Sequence, residues 1–381
     1  MEMATRVERV RRSMDAQGID ALVVFGPECQ YWLSGLESFI SGVLVQGLLV
    51  PAARKSPMVL VVWDADEPLA RSTSDVETIL GYRFGVDDPI DCLARALADI
   101  APGVRTIGFD SGSRAVPFTV GRALVEALAP ARCVDCSAML ADVRLVKSEA
   151  ELAHLRRAGS FADIGLEAAL ANARPGTSER ELAAEIEYAM RRAGSDYASI
   201  PTELTSGSRS VLVHGTPGHR LLEEGDLVHV EVGGVELRYN AVGLQTFGVG
   251  GRSVPAVGQR LYDVARSCLA AGLESVKPGV EAREVEAPAL RLLRAAGLED
   301  GFKMRFGYGV GVGYPPTWLD PFQITRTSHQ ILEPGIAFVL HACLLDEPSE
   351  VGVVVGGTYA VNETGFEQIA GAGSPPMGRS N

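Results

Sequence analysis

Residues 222–250 read LEEGDLVHVEVGGVELRYNAVGLQTFGVG, and the rest of the chain is best understood from this stretch outward. Leu227–Val232 and Gly243–Gly248 are rich in β-branched and apolar residues and bounded by glycines, so they read as two strands. The segment between them, with Glu236, Arg238, Tyr239 and Asn240, reads as a turn. Glu231 is the one acid embedded in the first strand. A carboxylate between Val230 and Val232 must be desolvated or partnered, and sites are where that cost is tolerated. The alternative is an edge-strand glutamate facing water.

With 381 residues the chain is long for one compact core and fits two domains. Hydrophobic content of 46% and charged content of 22% are those of an ordinary globular protein. A formal net charge of −13 argues against nucleic acid, which needs a basic surface, and fits a small-molecule enzyme. No apolar run reaches the roughly 18–20 residues of a membrane span. The N-terminus MEMATRVERVRR lacks an apolar signal core, which predicts a cytoplasmic protein. Cys133 and Cys136 form a lone CxxC, read as two reduced thiols, with a redox pair as the alternative.

Before the hairpin, residues 4–18 predict an amphipathic helix with Val7, Val10 and Met14 on one face. Strands are predicted at Asp20–Phe25, ending in a turn at Gly26-Pro27, and at Val43–Val50, Met58–Trp63, Arg105–Phe109 and Ala131–Asp135. Helices are predicted near Pro89–Asp99 and at Val116–Ala127. This alternation indicates an α/β layer domain over residues 1–145. Leu140–Ser148 reads as the junction to a second domain, 146–381, opened by a long helix at Glu149–Asn172. Ser178 with Glu181 three residues on forms a capping box, and Gly194 closes that helix. Helices recur at Gln259–Val276 and Glu284–Ala296, and strands fill the rest, giving an α+β domain. The Gly/Ser/Pro stretch from Gly371 onward predicts a mobile tail.

Besides Glu231, three places carry side chains suited to chemistry. His214 lies in an apolar run ahead of a Gly-Thr-Pro turn, as a core imidazole or a substrate-facing one. Seven glycine and aromatic residues alternate between Phe306 and Tyr314, which suggests backbone packed closely around a ligand. Within that run Tyr308 is a hydrogen-bond donor and a poor metal ligand, or a packed aromatic beside Phe306. His341 sits in the apolar strand after Pro334-Gly335.

The spacing of the hairpin resembles that of the pita-bread superfamily, which includes methionine aminopeptidase, aminopeptidase P, prolidase, creatinase and ectoine hydrolase. Its peptidases carry an Asp, a Gly two residues on, a Tyr, a second Asp and then Arg-Thr. Here Glu231, Gly233 and Tyr239 are in register, the second Asp is Val242, and Arg-Thr is Gln245-Thr246. The histidine ligand's place is taken by Tyr308, and the two later glutamates by His341 and Gly356. Pro315-Pro316 stands where a His-Glu pair is expected. Only one carboxylate remains of a set that must bridge two ions. The resemblance therefore implies the metal-free branch, with no metal and no cofactor. Gly307, Tyr308, Gly311, Tyr314, Pro315, Pro316 and Trp318 are similar to the ectoine hydrolase pattern. His341 and the Leu244-Gln245 pair depart from it.

The resemblance implies an α/β N-terminal domain followed by a pita-bread catalytic domain. It points to a metal-independent hydrolase opening a C–N bond, amide or amidine-like, in a small polar or zwitterionic metabolite. Glu231 is then the nucleophile or general base and His214 the proton shuttle. Tyr308 and His341 stabilise developing negative charge. Trp32, Phe39, Tyr239, Tyr314 and Trp318 are the substrate-binding aromatics, with Trp32 lent across a homodimer. Two alternatives stand beside this reading: a metal-dependent Xaa-Pro aminopeptidase or prolidase, and a non-catalytic binding protein of the same fold.

Overall fold

A computed structural model of the protein describes residues 2–250 and 253–371. The chain divides between Arg144 and Leu145 into two compact units. The expected mobile tail, Gly371 excepted, lies outside the described residues.

In the first unit, strands β1 (Ala21–Val24), β2 (Gly47–Pro51), β3 (Val59–Trp63), β4 (Thr78–Tyr82), β5 (Thr106–Phe109) and β6 (Arg132–Asp135) form one sheet in the order β4-β3-β2-β1-β5-β6. Helix α1 (Glu2–Gln17) buries Val7, Val10 and Met14, as its apolar spacing requires. The stretch after β1 was expected to turn at Gly26-Pro27. It forms a helix instead, α2 (Pro27–Ser34), with Pro27 in its first turn and Gly35 closing it at φ 78°. Proline fits there because its missing N–H would have no intrahelical partner. Helices α3 (Glu67–Thr73), α4 (Pro89–Ile100), α5 (Phe118–Ala127) and α6 (Ser137–Leu145) complete the series, α3, α6 and β4 being unforeseen.

The second unit opens with α7 (Glu149–Asn172) and α8 (Glu179–Ala193), each started by a reciprocal capping box, at Ser148/Glu151 and Ser178/Glu181. Its sheet contains β7 (Glu203–Ser206), β8 (Leu227–Glu236), β9 (Tyr239–Gly248), β10 (Gly307–Tyr314), β11 (Thr317–Ile324), β12 (Ala337–Asp346) and β13 (Val351–Val361), in the order β11-β10-β12-β13-β9-β8-β7. A short β14 (Phe366–Gln368) pairs with β13. Helices α9 (Ala256–Glu274) and α10 (Ala282–Ala296) share a core with Leu340, Ala342 and Leu344 of β12 and Val353 and Val355 of β13.

The hairpin is longer than its sequence signals suggest. Glu236 ends β8, and Tyr239 and Asn240 begin β9, so the turn is only Leu237-Arg238. Both turn residues have positive φ, 45° and 63°, the twist that a two-residue hairpin loop demands. Glycines set the depth of packing on both faces of β8. A Cβ on Gly234 would lie 2.1 Å from the Ala158 carbonyl oxygen of α7, and one on Gly233 would lie 2.7 Å from the Trp318 ring. Successive strand residues thus face α7 and Trp318 in turn, and Glu231 shares the Gly233 face. Among the described residues no helix is long and apolar enough to cross a membrane.

Candidate active site

The Glu231 face of the sheet lines a cavity of about 60 Å³. β7 contributes Glu203, β8 His229 and Glu231, β10 Tyr308, β11 Trp318, and β12 His341 and Cys343. Arg305 enters from the segment before β10, and His214 from the loop after β7. Alternation explains the pairs: His229 and Glu231, and His341 and Cys343, are each two residues apart on one strand and face one way.

Glu231 is held by a short chain of donors. The Tyr308 hydroxyl donates to its Oε1 at 3.0 Å, and Trp318 Nε1 donates to the Tyr308 oxygen at 3.2 Å. Directly across the β7–β8 ladder, Glu203 is the register partner of Glu231. Burial raises Glu231 to about 8, the Glu203 charge adds to the rise, and the Tyr308 hydrogen bond opposes it. A carboxyl raised in this way holds a proton more readily than a free one, which suits a general acid. Glu203 is also raised by burial, and the charge of His214 opposes that.

His341 is 4% exposed and its Nδ1 has no hydrogen-bond partner. Burial drives it down to about 3, with Arg305, His229 and His214 contributing, so it is a neutral imidazole. His229 is likewise held down to about 4 by burial against a raising hydrogen bond to the Ser210 backbone. His214 stands at the exposed rim with φ 58°, a backbone state rare for non-glycine residues and often met at sites. The Arg305 Nη1 donates to Gln323 Oε1 at 2.9 Å, and its guanidinium carbon lies 5.8 Å from the Tyr308 ring centre. Among the described residues Arg305 pairs with no carboxylate.

The structure thus brings Glu231, His214, Tyr308, His341 and Trp318 to one cavity. Of the other four expected substrate-binding aromatics, Tyr239 and Tyr314 face other surroundings within the second unit, and Trp32 and Phe39 belong to the first. Tyr239 donates its hydroxyl to Glu151 Oε1 at 2.9 Å and stacks on His154, toward α7. The Arg238 guanidinium lies 4.8 Å from the Tyr314 ring centre and 3.9 Å from that of Tyr197. That arginine is fully buried because it bonds the Gly313 and Tyr197 carbonyls and Ser199 Oγ, which takes Tyr314 out of the cavity wall. Trp32, 2% exposed, packs inside the first unit beneath Arg6 and Arg9. Phe39 is 76% exposed. Glu203, His229, Arg305 and Cys343 were missed. For His229 the V-H-V-E-V alternation was a usable signal. Glu203 had none beyond being an acid in a short TELTS segment.

The two-ion ligand set that the resemblance associates with metal-dependent members can be tested on these residues. Glu231, Leu244, Gly356 and His341 stand side by side across β8, β9, β13 and β12. The row therefore holds one carboxyl, an aliphatic residue, a glycine and an unprotonated imidazole. A side chain at Gly356 would meet His341 Cβ and the Leu340 carbonyl oxygen, each at 2.5 Å. Val242 is buried and its backbone N–H is bonded to Thr358 Oγ1, while the Tyr308 hydroxyl is committed to Glu231. No group of three or more His, Cys, Asp or Glu among the described residues could hold a metal ion. The residues present do not fit a two-metal centre.

Residues 153–363 match metallopeptidase family M24, and residues 6–146 match the creatinase/prolidase N-terminal domain. An uncharacterized hydrolase/peptidase of Sinorhizobium fredii is 28% identical over 380 residues, 97% of this chain and 95% of that protein. The Xaa-Pro dipeptidase of Pyrococcus horikoshii is 26% identical over 368 residues, 96% of this chain and 97% of its own length. The solved structure of an Xaa-Pro dipeptidase from Bacillus anthracis matches with a TM-score of 0.86 at 23% identity, covering 98% of this chain and 99% of that one. The chain therefore belongs to metallopeptidase family M24, with a creatinase/prolidase N-terminal domain ahead of a pita-bread domain.

Proposed function

We propose that this member of the family is a metal-independent hydrolase that opens a C–N bond, amide or amidine-like, in a small zwitterionic metabolite. The observation that carries this reading is the cavity's donor set. At the positions where the family's two-metal centre has its ligands, the chain offers one glutamate tied to a phenol, a neutral histidine, a valine and a glycine, and Glu203 is the one further carboxyl in the cavity lining. The groups that remain are those of acid–base chemistry: Glu231 holding a proton more readily than a free carboxyl, His214 at the rim to exchange protons with water, and His341 with an unpaired Nδ1 for the attacked centre.

Charge supports the substrate class. Glu203 on β7 and Arg305, which pairs with no carboxylate among the described residues, give the cavity an anionic side and a cationic side, which suits a molecule carrying both charges. Trp318 supplies an aromatic wall. A homodimer remains part of the proposal.

The relatives' names favour a second reading, a metal-dependent Xaa-Pro dipeptidase. Turnover separates the two. Under the proposal, a screen of N-acyl and amidino amino acids in the presence of a chelator finds a substrate, and Glu231→Gln abolishes its hydrolysis while leaving binding. Xaa-Pro cleavage that requires added manganese or cobalt would establish the second reading instead.

A further inference from the structure

Glu203 is the residue on which the site extends beyond its M24 pattern. It lies on the four-residue strand β7, directly opposite Glu231 in antiparallel register. Residues so paired have Cβ atoms about 4.5–5.5 Å apart on one face, close enough for two ionised carboxylates to repel strongly. Both line the same cavity, and each has a different neighbour. Glu231 receives the Tyr308 hydroxyl, deep in the cavity, whereas Glu203 is the carboxyl that feels His214 at the rim. His229 and His341 also line that cavity, each residue 4% exposed and each with a buried Nδ1 that has no hydrogen-bond partner. Buried polar atoms without a partner beside a cavity point to a polar ligand there.

We infer that Glu203 and Glu231 work as one acid–base pair holding a single proton between them, Glu203 as the base and Glu231 as the acid. This rests on the hydrolytic reading of the site and adds a division of labour to it. Glu203, ionised, takes a proton from water as the water oxygen bonds to the substrate carbon and the carbonyl pair moves onto its oxygen. Glu231 then gives its proton to the departing nitrogen as the oxygen pair returns and the C–N bond breaks. The products are a carboxylic acid and an amine, and the proton now on Glu203 passes across the pair to Glu231. No proton is gained or lost by the pair over the cycle, and no co-reactant is needed.

The pair can be tested on the substrate-free protein by following the side-chain carboxyl signals of ¹³C-glutamate-labelled chain through a pH titration. The ionisable groups facing the pair are His214 from the rim loop, His229 on β8, Tyr308 on β10, His341 and Cys343 on β12, and Arg305 before β10. Wild type is expected to show two coupled steps, the upper one above neutrality. Glu203→Gln should lower the remaining Glu231 step by about one pH unit or more, the scale of coupling that defines such a pair. Glu231→Gln should remove the upper step and leave Glu203 near its lower wild-type step, because its partner is neutral there. Both replacements keep shape, and melting curves report folding; if Glu203→Gln fails to fold, Glu203→Ala reads the same coupling. An upper step that stays in place when the partner carboxyl is removed overturns the pairing. A failed turnover screen with the coupling intact would overturn the hydrolytic reading alone.

Discussion

Replacing Tyr308 by phenylalanine removes one oxygen that serves two buried partners, Glu231 Oε1 and Trp318 Nε1. The cost can be worked out for each. Trp318 is 1% exposed, and its orphaned indole N–H costs about 1–3 kcal/mol at any pH. Glu231 loses a hydrogen bond to a charged acceptor, worth about 1.5–3 kcal/mol, but only when it is ionised. Its carboxyl is raised from 4.5 to about 8 by burial and by Glu203, with Tyr308 opposing the rise. The unfolded chain binds fewer protons than the native one between those values, so wild-type stability should fall as pH climbs through that window. In the phenylalanine variant the Glu231 value rises further, which extends the fall to higher pH. Denaturant titrations near pH 5.5 and pH 9 should therefore give a loss of about 1–3 kcal/mol at the acid end, and a further loss of about 1 kcal/mol at the alkaline end, which lies about one pH unit above the wild-type value. A loss of the same size at both ends would refute the Tyr308–Glu231 link, and no loss at either would refute the whole chain of donors.

Three further outcomes can be checked by stability measurements. Gly234→Ala puts a methyl against the α7 backbone at Ala158 and Ala162, and should destabilise by about 1–3 kcal/mol or more in denaturant unfolding. Lys147→Met breaks a buried ion pair, Nζ to Asp320 Oδ2 at 2.9 Å, and should cost about 3–5 kcal/mol, much of it regained when Asp320 is also made apolar. Ser178→Ala removes the α8 cap that accepts from the Glu181 N–H at 3.2 Å, and should cost about 1 kcal/mol by thermal melting.

Much of the fold was legible because its signals are local. The spacing of Val7, Val10 and Met14, the Ser178/Glu181 box and the Gly194 stop each act within a turn or two of chain. Glu231 was legible for a related reason: an acid in an apolar strand needs a compensating environment, and Tyr308 with Trp318 supplies it. Glu203 was not, because only the β7–β8 register brings it opposite Glu231. Tyr239 and Tyr314 show the converse failure. Both sit in the right segments, but strand alternation and the buried Arg238 stack decide which way a ring faces. The α2 helix was lost to the turn signal of Gly26-Pro27, where proline in fact begins the helix.

The most direct test of metal independence is the metal content of the purified protein, with calorimetric titration of manganese, cobalt and zinc into the chelator-treated chain. The account predicts no stoichiometric binding at the Glu231 cavity, and the same ligand binding or turnover before and after chelation. Recovery of about two ions per chain, lost on Glu231→Gln and required for activity, would contradict it and establish the two-metal chemistry that the rest of the family name implies.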